Sequence, residues 1–343
     1  MKIKKPSVLI IYTGGTIGMI KDPATGELKS FNFKHIYEHV PELNRLNVRL
    51  ESISFEQPID SSEMTPNHWV QIAQMVRDNY DNTDGFVVLH GSDTMAYAAS
   101  ALSFMLQGLR KPVILTGSQL PIGTIRTDGK ENLITAIEIA ADKDASGEAI
   151  VQEVAVYFEY SLYRGNRSSK ISANQFEAFA SPNFSELAVA GVSIEYRKDK
   201  LFRTSLTDLH YFPQLNSRVG LMKLFPGIPF DAYKNVFDIR FTEAVIIETY
   251  GSGNAPSDPT FRTLIEDYLK QGGIILNITQ CGSGSVHQGK YETSTYFNKA
   301  GVISGGNMTT EAAISKLMHI LAYTKEKSER IEKLTSSICG EMD

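Results

Sequence analysis

Val8-Leu9-Ile10-Ile11-Tyr12-Thr13-Gly14-Gly15-Thr16-Ile17-Gly18 holds the pattern that decides the fold. Five apolar or aromatic residues end abruptly at a hydroxyl, two glycines and a second hydroxyl. A short continuous run of this kind reads as a strand buried on both faces, as central strands of parallel sheets are. Ligands in open α/β sheets collect beyond the carboxyl ends of such strands. Thr16 therefore stands where chemistry is done.

The pattern recurs down the chain. Residues 86–89 lead into His90-Gly91-Ser92-Asp93-Thr94, residues 113–116 into Gly117-Ser118-Gln119, and residues 154–158 run toward Arg164-Gly165-Asn166-Arg167-Ser168-Ser169-Lys170. Between the first two strands, Thr65 is a good N-cap with Pro66 at the first helical position, and Trp69, Ile72, Ala73 and Val76 keep one apolar face. Alternating strands and helices specify an α/β chain with a larger N-terminal domain, residues 1–195, built on a mostly parallel sheet flanked by helices. Residues 196–217 are polar and aperiodic, with charges at Arg197, Lys198, Asp199 and Lys200, and read as a linker. A smaller C-terminal α/β domain, residues 218–343, follows with strands at 219–225, 244–249 and 274–278 and helices at 259–270 and 309–323. The charged stretch beyond Lys325 reads as a solvated helix face or a frayed end.

With 343 residues, 42% hydrophobic and 21% charged, the chain is long enough for two domains with their own cores. A net charge of −5 and the lack of a basic block argue against nucleic acid as a partner. No apolar stretch is long enough to span a bilayer. Met1-Lys2-Ile3-Lys4-Lys5 imitates the basic start of a signal peptide, but the apolar run behind it is too short and flows into the glycine loop, which predicts a cytoplasmic protein. Cys281 and Cys339 lack disulfide or zinc spacing and read as reduced thiols.

The chemistry-bearing groups each have a plain alternative. The Thr16 hydroxyl attacks nothing until a base takes its proton; otherwise the Gly14-Gly15 pair makes a turn and Thr16 caps backbone. Gly14, Gly15 and Gly18 do not fit a dinucleotide loop, and no Walker lysine is present. Ser92 and Asp93 precede a helix and serve equally as caps, yet they belong at the same end of the sheet as Thr16. Lys170 acts as a base only if burial or neighbouring cations lower its pKa; otherwise it is a surface lysine. His35 and His39 share helical spacing without an acidic or cysteine partner, so a solvated helix face accounts for them better than a metal. His90 reads as a packing or hydrogen-bonding residue of its loop.

Taken in order, 13–18, Asp60-Ser61-Ser62-Glu63-Met64, 90–95 and Tyr163 through Lys170 resemble the bacterial-type L-asparaginase family, type I cytoplasmic branch. The likeness continues through Tyr250-Gly251-Ser252-Gly253-Asn254-Ala255-Pro256 and 277–281 into Gly305-Gly306-Asn307-Met308-Thr309, nearly the whole chain. It implies hydrolysis of L-asparagine to L-aspartate and ammonia through a covalent acyl-enzyme, with no metal and no organic cofactor. By this resemblance Thr16 is the nucleophile, and Ser92, Asp93 and Lys170 are the hydroxyl, carboxylate and lysine triad. Ser61 and Ser62 hold the substrate's α-carboxylate and α-ammonium, the latter with Asp93, and the Ser118 backbone faces the side-chain amide. The site is completed by Asn254 of a neighbouring subunit, in a homo-oligomer that is commonly a homotetramer.

Three positions depart from the family. Ser92 stands where most relatives carry threonine, which keeps the hydroxyl. The loop 17–33 lacks the tyrosine that usually partners the nucleophile, and neither Tyr12 nor Tyr37 aligns with it. Glu248 occupies a position where some allosteric relatives have arginine, so asparagine activation by that route is not expected. The alternatives are a glutaminase or a broader glutaminase/asparaginase, a tRNA-dependent amidotransferase subunit, which predicts an extra N-terminal module, and a non-catalytic amino-acid-binding module on the same fold.

Overall fold

The computed structural model describes residues 5–21, 28–30, 36–289 and 292–343. It divides into two compact units, residues 1–213 and 214–343. In the first, β1 (Ser7–Gly14), β2 (Arg49–Ile59), β3 (Gly85–Leu89), β4 (Val113–Thr116) and β5 (Val154–Phe158) form a parallel array in the order β2-β1-β3-β4-β5. Three short antiparallel strands, β6 (Ser161–Arg164), β7 (Ala188–Ala190) and β8 (Ile194–Tyr196), extend it beyond β5. Tyr12 pairs with Leu89 and Val8 with Gly85, so β1 and β3 end level with each other.

The continuous apolar strands are buried on both faces, as the sequence predicts. Val8, Ile10, Tyr12, Val87, Leu89 and Ile114 meet Leu133, Ala136, Ile137 and Ala140 of the helix Gly129–Ala141. The helix Met95–Met105 packs against β4 and β5. The helix Pro66–Asp78 starts where Thr65 and Pro66 place it, with His68 Nδ1 accepting the Thr65 N–H at 3.1 Å and the expected face buried. β2 is not expected from the sequence because it is an edge strand, mostly exposed, with Phe55 its one buried residue.

The chain leaves β1 for β2 on one side and returns to β3 on the other. That reversal opens a crevice outside the carboxyl ends of β1 and β3. Three glycines let the loops meet there. Gly14 (φ +129°) lies so near β2 that a Cβ would fall 2.1 Å from the Ile59 carbonyl oxygen, and at Gly15 (φ +85°) it would fall 2.6 Å from Gly91 Cα. At Gly91 it would meet Ser61 Oγ at 2.5 Å.

Residues 196–217, expected as a linker, follow the first unit as far as Pro213. The buried pair Arg164 Nε to Glu153 Oε2 at 2.7 Å recruits them: Arg164 Nη2 donates to Lys200 O, and Phe202 N donates to Glu153 Oε1, each at 2.7 Å. Tyr211 then pairs with Leu106.

The second unit is a parallel sheet of β9 (Val219–Lys223), β10 (Ala244–Thr249), β11 (Ile274–Thr279) and β12 (Ile303–Ser304). Val245, Ile247 and Ile275 pack on Phe261, Ile265 and Tyr268 of one helix, Pro259–Lys270. Ala244, Ile246, Leu276 and Ile278 pack on Ala312, Ala313 and Leu317 of another, Thr310–Tyr323. The stretch beyond Lys325 is not a frayed end. Glu341 is buried, accepts the N–H groups of Ile338 and Cys339, and pairs with buried Lys316 at 2.7 Å.

The glycine contacts yield a comparison by urea unfolding. Gly15→Ala adds the strain of an extended positive-φ conformation (φ 85°, ψ 170°) and a backbone clash and is expected to cost about 3 kcal/mol. Gly147→Ala, at φ +87° with open space around it, carries only the strain, about 1 kcal/mol. Equal losses would refute close packing at Gly15.

Candidate active site

Each loop at the crevice is held by short local bonds. After β1, Thr16 opens a 3-10 turn, Thr16–Gly18, in which Gly18 N donates to Gly15 O at 3.2 Å. Thr16 is half-buried. Thr13 Oγ1 ties the end of β1 to Leu89 O at 2.9 Å. Tyr12 is buried, and its hydroxyl donates to Gly18 O at 3.1 Å, so it supports the turn from beneath. Of the loop 17–33, residues 22–27 and 31–33 lie outside the described residues, as does His35.

After β2, Asp60 accepts both the N–H and the hydroxyl of Ser62 at 2.8 Å, and these two bonds hold its carboxyl below the usual range. Ser61 is buried, and its carbonyl accepts Thr94 Oγ1–H at 2.7 Å, which clamps the β2 loop to the β3 loop.

After β3, Ser92 and Asp93 form a 3-10 turn that runs into the helix Met95–Met105. His90 is fully buried, with Nδ1 at 2.7 Å from Gly91 O. A carbonyl only accepts, so this contact puts the ring proton on Nδ1. Burial pushes the imidazole down to about 4, so the ring is neutral at neutral pH.

Lys170 arrives on a separate ribbon, Ser169–Lys170 paired with Phe179–Ala180. Its Nζ lies 2.6 Å from Asp93 Oδ1 and 2.9 Å from Ser92 Oγ. The lysine side chain is largely covered, at 17% exposure, whereas Asp93 is 64% exposed and keeps an open carboxylate oxygen. Hydroxyl, carboxylate and lysine thus meet as the sequence suggests. No bond among the described residues joins Thr16 Oγ1 to this trio; the Thr16 loop reaches it through Gly15 against Gly91.

After β4, buried Ser118 donates to Leu120 O at 2.6 Å. Asp128 accepts the N–H of Gln119 at 2.8 Å and of Leu120 at 3.1 Å, and Asn132 Nδ2 donates to Gly117 O at 3.0 Å. Burial still raises the Asp128 carboxyl, with the two amides pulling the other way. Gln119 is a residue that reading from sequence passes over. Its amide joins Ser92 Oγ at 3.4 Å to Gln175 O at 2.9 Å, and its position directly after Ser118 was the available signal.

In the second unit, Asn254 closes a tight loop after β10, with Tyr250 N to Asn254 O at 3.0 Å and Asn254 N to Tyr250 O at 2.9 Å. The buried Glu248 carboxylate already holds Thr310 Oγ1 at 2.5 Å and Lys223 Nζ at 3.3 Å. Among the described residues there is no cluster of three metal-ligating side chains and no helix long and apolar enough to cross a membrane.

A parallel sheet with its hydroxyls, carboxylate and lysine at one carboxyl edge, followed by a second α/β unit, is the architecture of asparaginases. The chain belongs to that family: the model described as Asparaginase, N-terminal matches residues 7–202, and the Glutaminase/Asparaginase C-terminal domain matches 218–334. It is 38% identical to L-asparaginase 1 of Escherichia coli strain K12 over 345 residues, 99% of each chain. It is also 38% identical to the 60 kDa lysophospholipase of Mus musculus, over 98% of this chain and 62% of that one. The crystal structure of L-asparaginase I from Vibrio cholerae superposes with a TM-score of 0.89 at 38% identity, covering 99% of this chain and 100% of that one.

Buried neutral histidine makes stability depend on pH. The unfolded chain protonates His90 near its ordinary 6.5 and the folded chain only near 4, so stability falls as pH drops through that window, by about 3 kcal/mol at full effect. His319, pushed down to about 4 mainly by burial, adds a share of its own. His90→Asn is expected to flatten the decline in unfolding free energy between pH 7 and pH 4. An unchanged slope would remove His90 as its cause.

Proposed function

We propose that this chain hydrolyses L-asparagine to L-aspartate and ammonia, with Thr16 as nucleophile. The observation that carries the reading is the placement of Lys170 Nζ within 2.9 Å of Ser92 and 2.6 Å of Asp93, beside the turn that presents Thr16. A zwitterionic amino acid needs an acceptor for its ammonium and donors for its carboxylate. The open oxygen of Asp93 supplies the first, and the Ser61 and Ser62 loop supplies the second.

In this reading the arriving ammonium replaces Lys170 on Asp93, the displaced lysine loses its proton to solvent, and the neutral amine then acts as the base. Ser92 relays the proton, and Thr16 Oγ bonds to the side-chain amide carbon, facing the Ser118 backbone. The carbonyl electrons move to oxygen, where fixed N–H groups of the glycine loop stabilise the charge. Collapse of this adduct breaks the C–N bond, and the proton returns through Ser92 and Lys170 to the leaving ammonia. Water then cleaves the Thr16 ester along the same relay and releases aspartate. No metal or organic cofactor is required by these steps.

Ammonia release from L-asparagine is expected to fall at least ~10³-fold in Thr16→Val and about as far in Lys170→Met, as expected for members of one catalytic unit. Parent-like turnover in Thr16→Val would sink the nucleophile assignment. Glutamine supplied in parallel distinguishes the glutaminase alternative, and binding of aspartate without asparagine turnover in the parent would favour a binding module.

We further propose a cytoplasmic homo-oligomer, a homotetramer, in which Asn254 of one subunit completes the site of another. Support comes from the tight loop that presents Asn254 and from the family resemblance. Co-expression of Thr16→Val with Asn254→Ala chains is expected to restore about a quarter of parental activity, the share of sites built from two intact halves. Mixed oligomers no more active than the separate variants would exclude a shared site.

A further inference from the structure

We propose that Gln119 is a positioning residue of this site, whose side-chain oxygen sets the direction of the Ser92 proton; the proposal rests on the reading of Ser92 and Lys170 as the proton relay. The amide is oriented by its own partners. Gln119 Nε2 donates at 2.9 Å to the carbonyl of Gln175, in the loop joining the two strands of the Lys170 ribbon. With the NH₂ group committed there, Oε1 faces Ser92 Oγ at 3.4 Å.

A serine hydroxyl has one proton and two lone pairs. Lys170 as an ammonium only donates, so its 2.9 Å contact fills a lone pair of Ser92. The Ser92 proton then goes to Gln119. At 3.4 Å that bond is long enough to be given up when a substrate amide arrives. Gln119 therefore fixes the resting state of the relay, with Lys170 donating to Ser92 and the serine proton parked to one side, from where Ser92 turns it to the lysine once that amine is neutral. Its main chain is fixed independently, by Gln119 N to Asp128 Oδ2 at 2.8 Å, so replacing the side chain leaves the loop in place.

The test uses steady-state turnover of L-asparagine by Gln119→Met, Gln119→Glu and Ser92→Ala. Methionine keeps the shape and removes both polar contacts; the expected result is a kcat lowered by about tenfold, the scale of one neutral hydrogen bond, with KM within about twofold because the proposal gives Gln119 a role through Ser92 and none in holding substrate. Glutamate still accepts the Ser92 proton but opposes the Gln175 carbonyl, and it is expected to recover most of kcat. If Gln119 served only to tie down the Gln175 loop, glutamate would be as poor as methionine or worse. Either that result or an undiminished kcat in Gln119→Met overturns the proposal. Full activity in Ser92→Ala would instead overturn the relay reading itself.

Discussion

Close approach of backbone to backbone at the switch between β1 and β3 governs this molecule. Gly15 against Gly91, Gly14 against Ile59 and Gly91 against Ser61 leave no room for a Cβ. Side chains would hold these loops several ångströms apart. Without them, three separate strand ends become one surface, and groups far apart in sequence share a crevice. Gly117 extends the contact to the fourth loop, since a Cβ there would lie 2.3 Å from the His90 carbonyl oxygen.

Charge is then set into that frame. Lys170 is brought in by a two-residue ribbon, too short to fix its own position, and meets an exposed carboxylate and a hydroxyl. The preceding segment is anchored deeper, where Arg164 is locked to Glu153 at 2.7 Å. The two pairs differ in consequence. The buried one orders the chain, because removing either partner strands a charge away from water. The exposed one is available for exchange, because a second cation can approach Asp93 from solvent.

Legibility from sequence followed burial. Strands hidden on both faces, at 8–12, 86–89, 113–116 and 154–158, announce themselves as unbroken apolar runs, and Thr65-Pro66 marks a helix start by cap chemistry. The edge strand Arg49–Ile59 does not, since solvent tolerates almost any residue along it. β6, β7 and β8 are too short to show a period. Thr16, Ser92, Asp93 and Lys170 were singled out because each sits in a glycine- or hydroxyl-rich loop of a recognisable ordered set. Gln119 was not, because its contact with Ser92 spans 27 residues and depends on Asp128 fixing the loop from below.

The burial of the segment around Glu341 bears on how the polypeptide comes off the ribosome. Lys316 sits within the core of the second unit, and its counter-charge is made later in the chain. Its other hydrogen-bond partners, the carbonyls of Leu334 and Ser336 and the sulfur of Met342, also emerge afterwards. While Glu341 is still inside the exit tunnel, the helix Thr310–Tyr323 faces a nascent sheet with an ammonium it cannot desolvate. The first unit has all of its strands before that point, whereas the second closes only once Glu341 has emerged to pair with Lys316. Until then the sheet face lined by Ala244, Ile246, Leu276 and Ile278 lacks its settled cover.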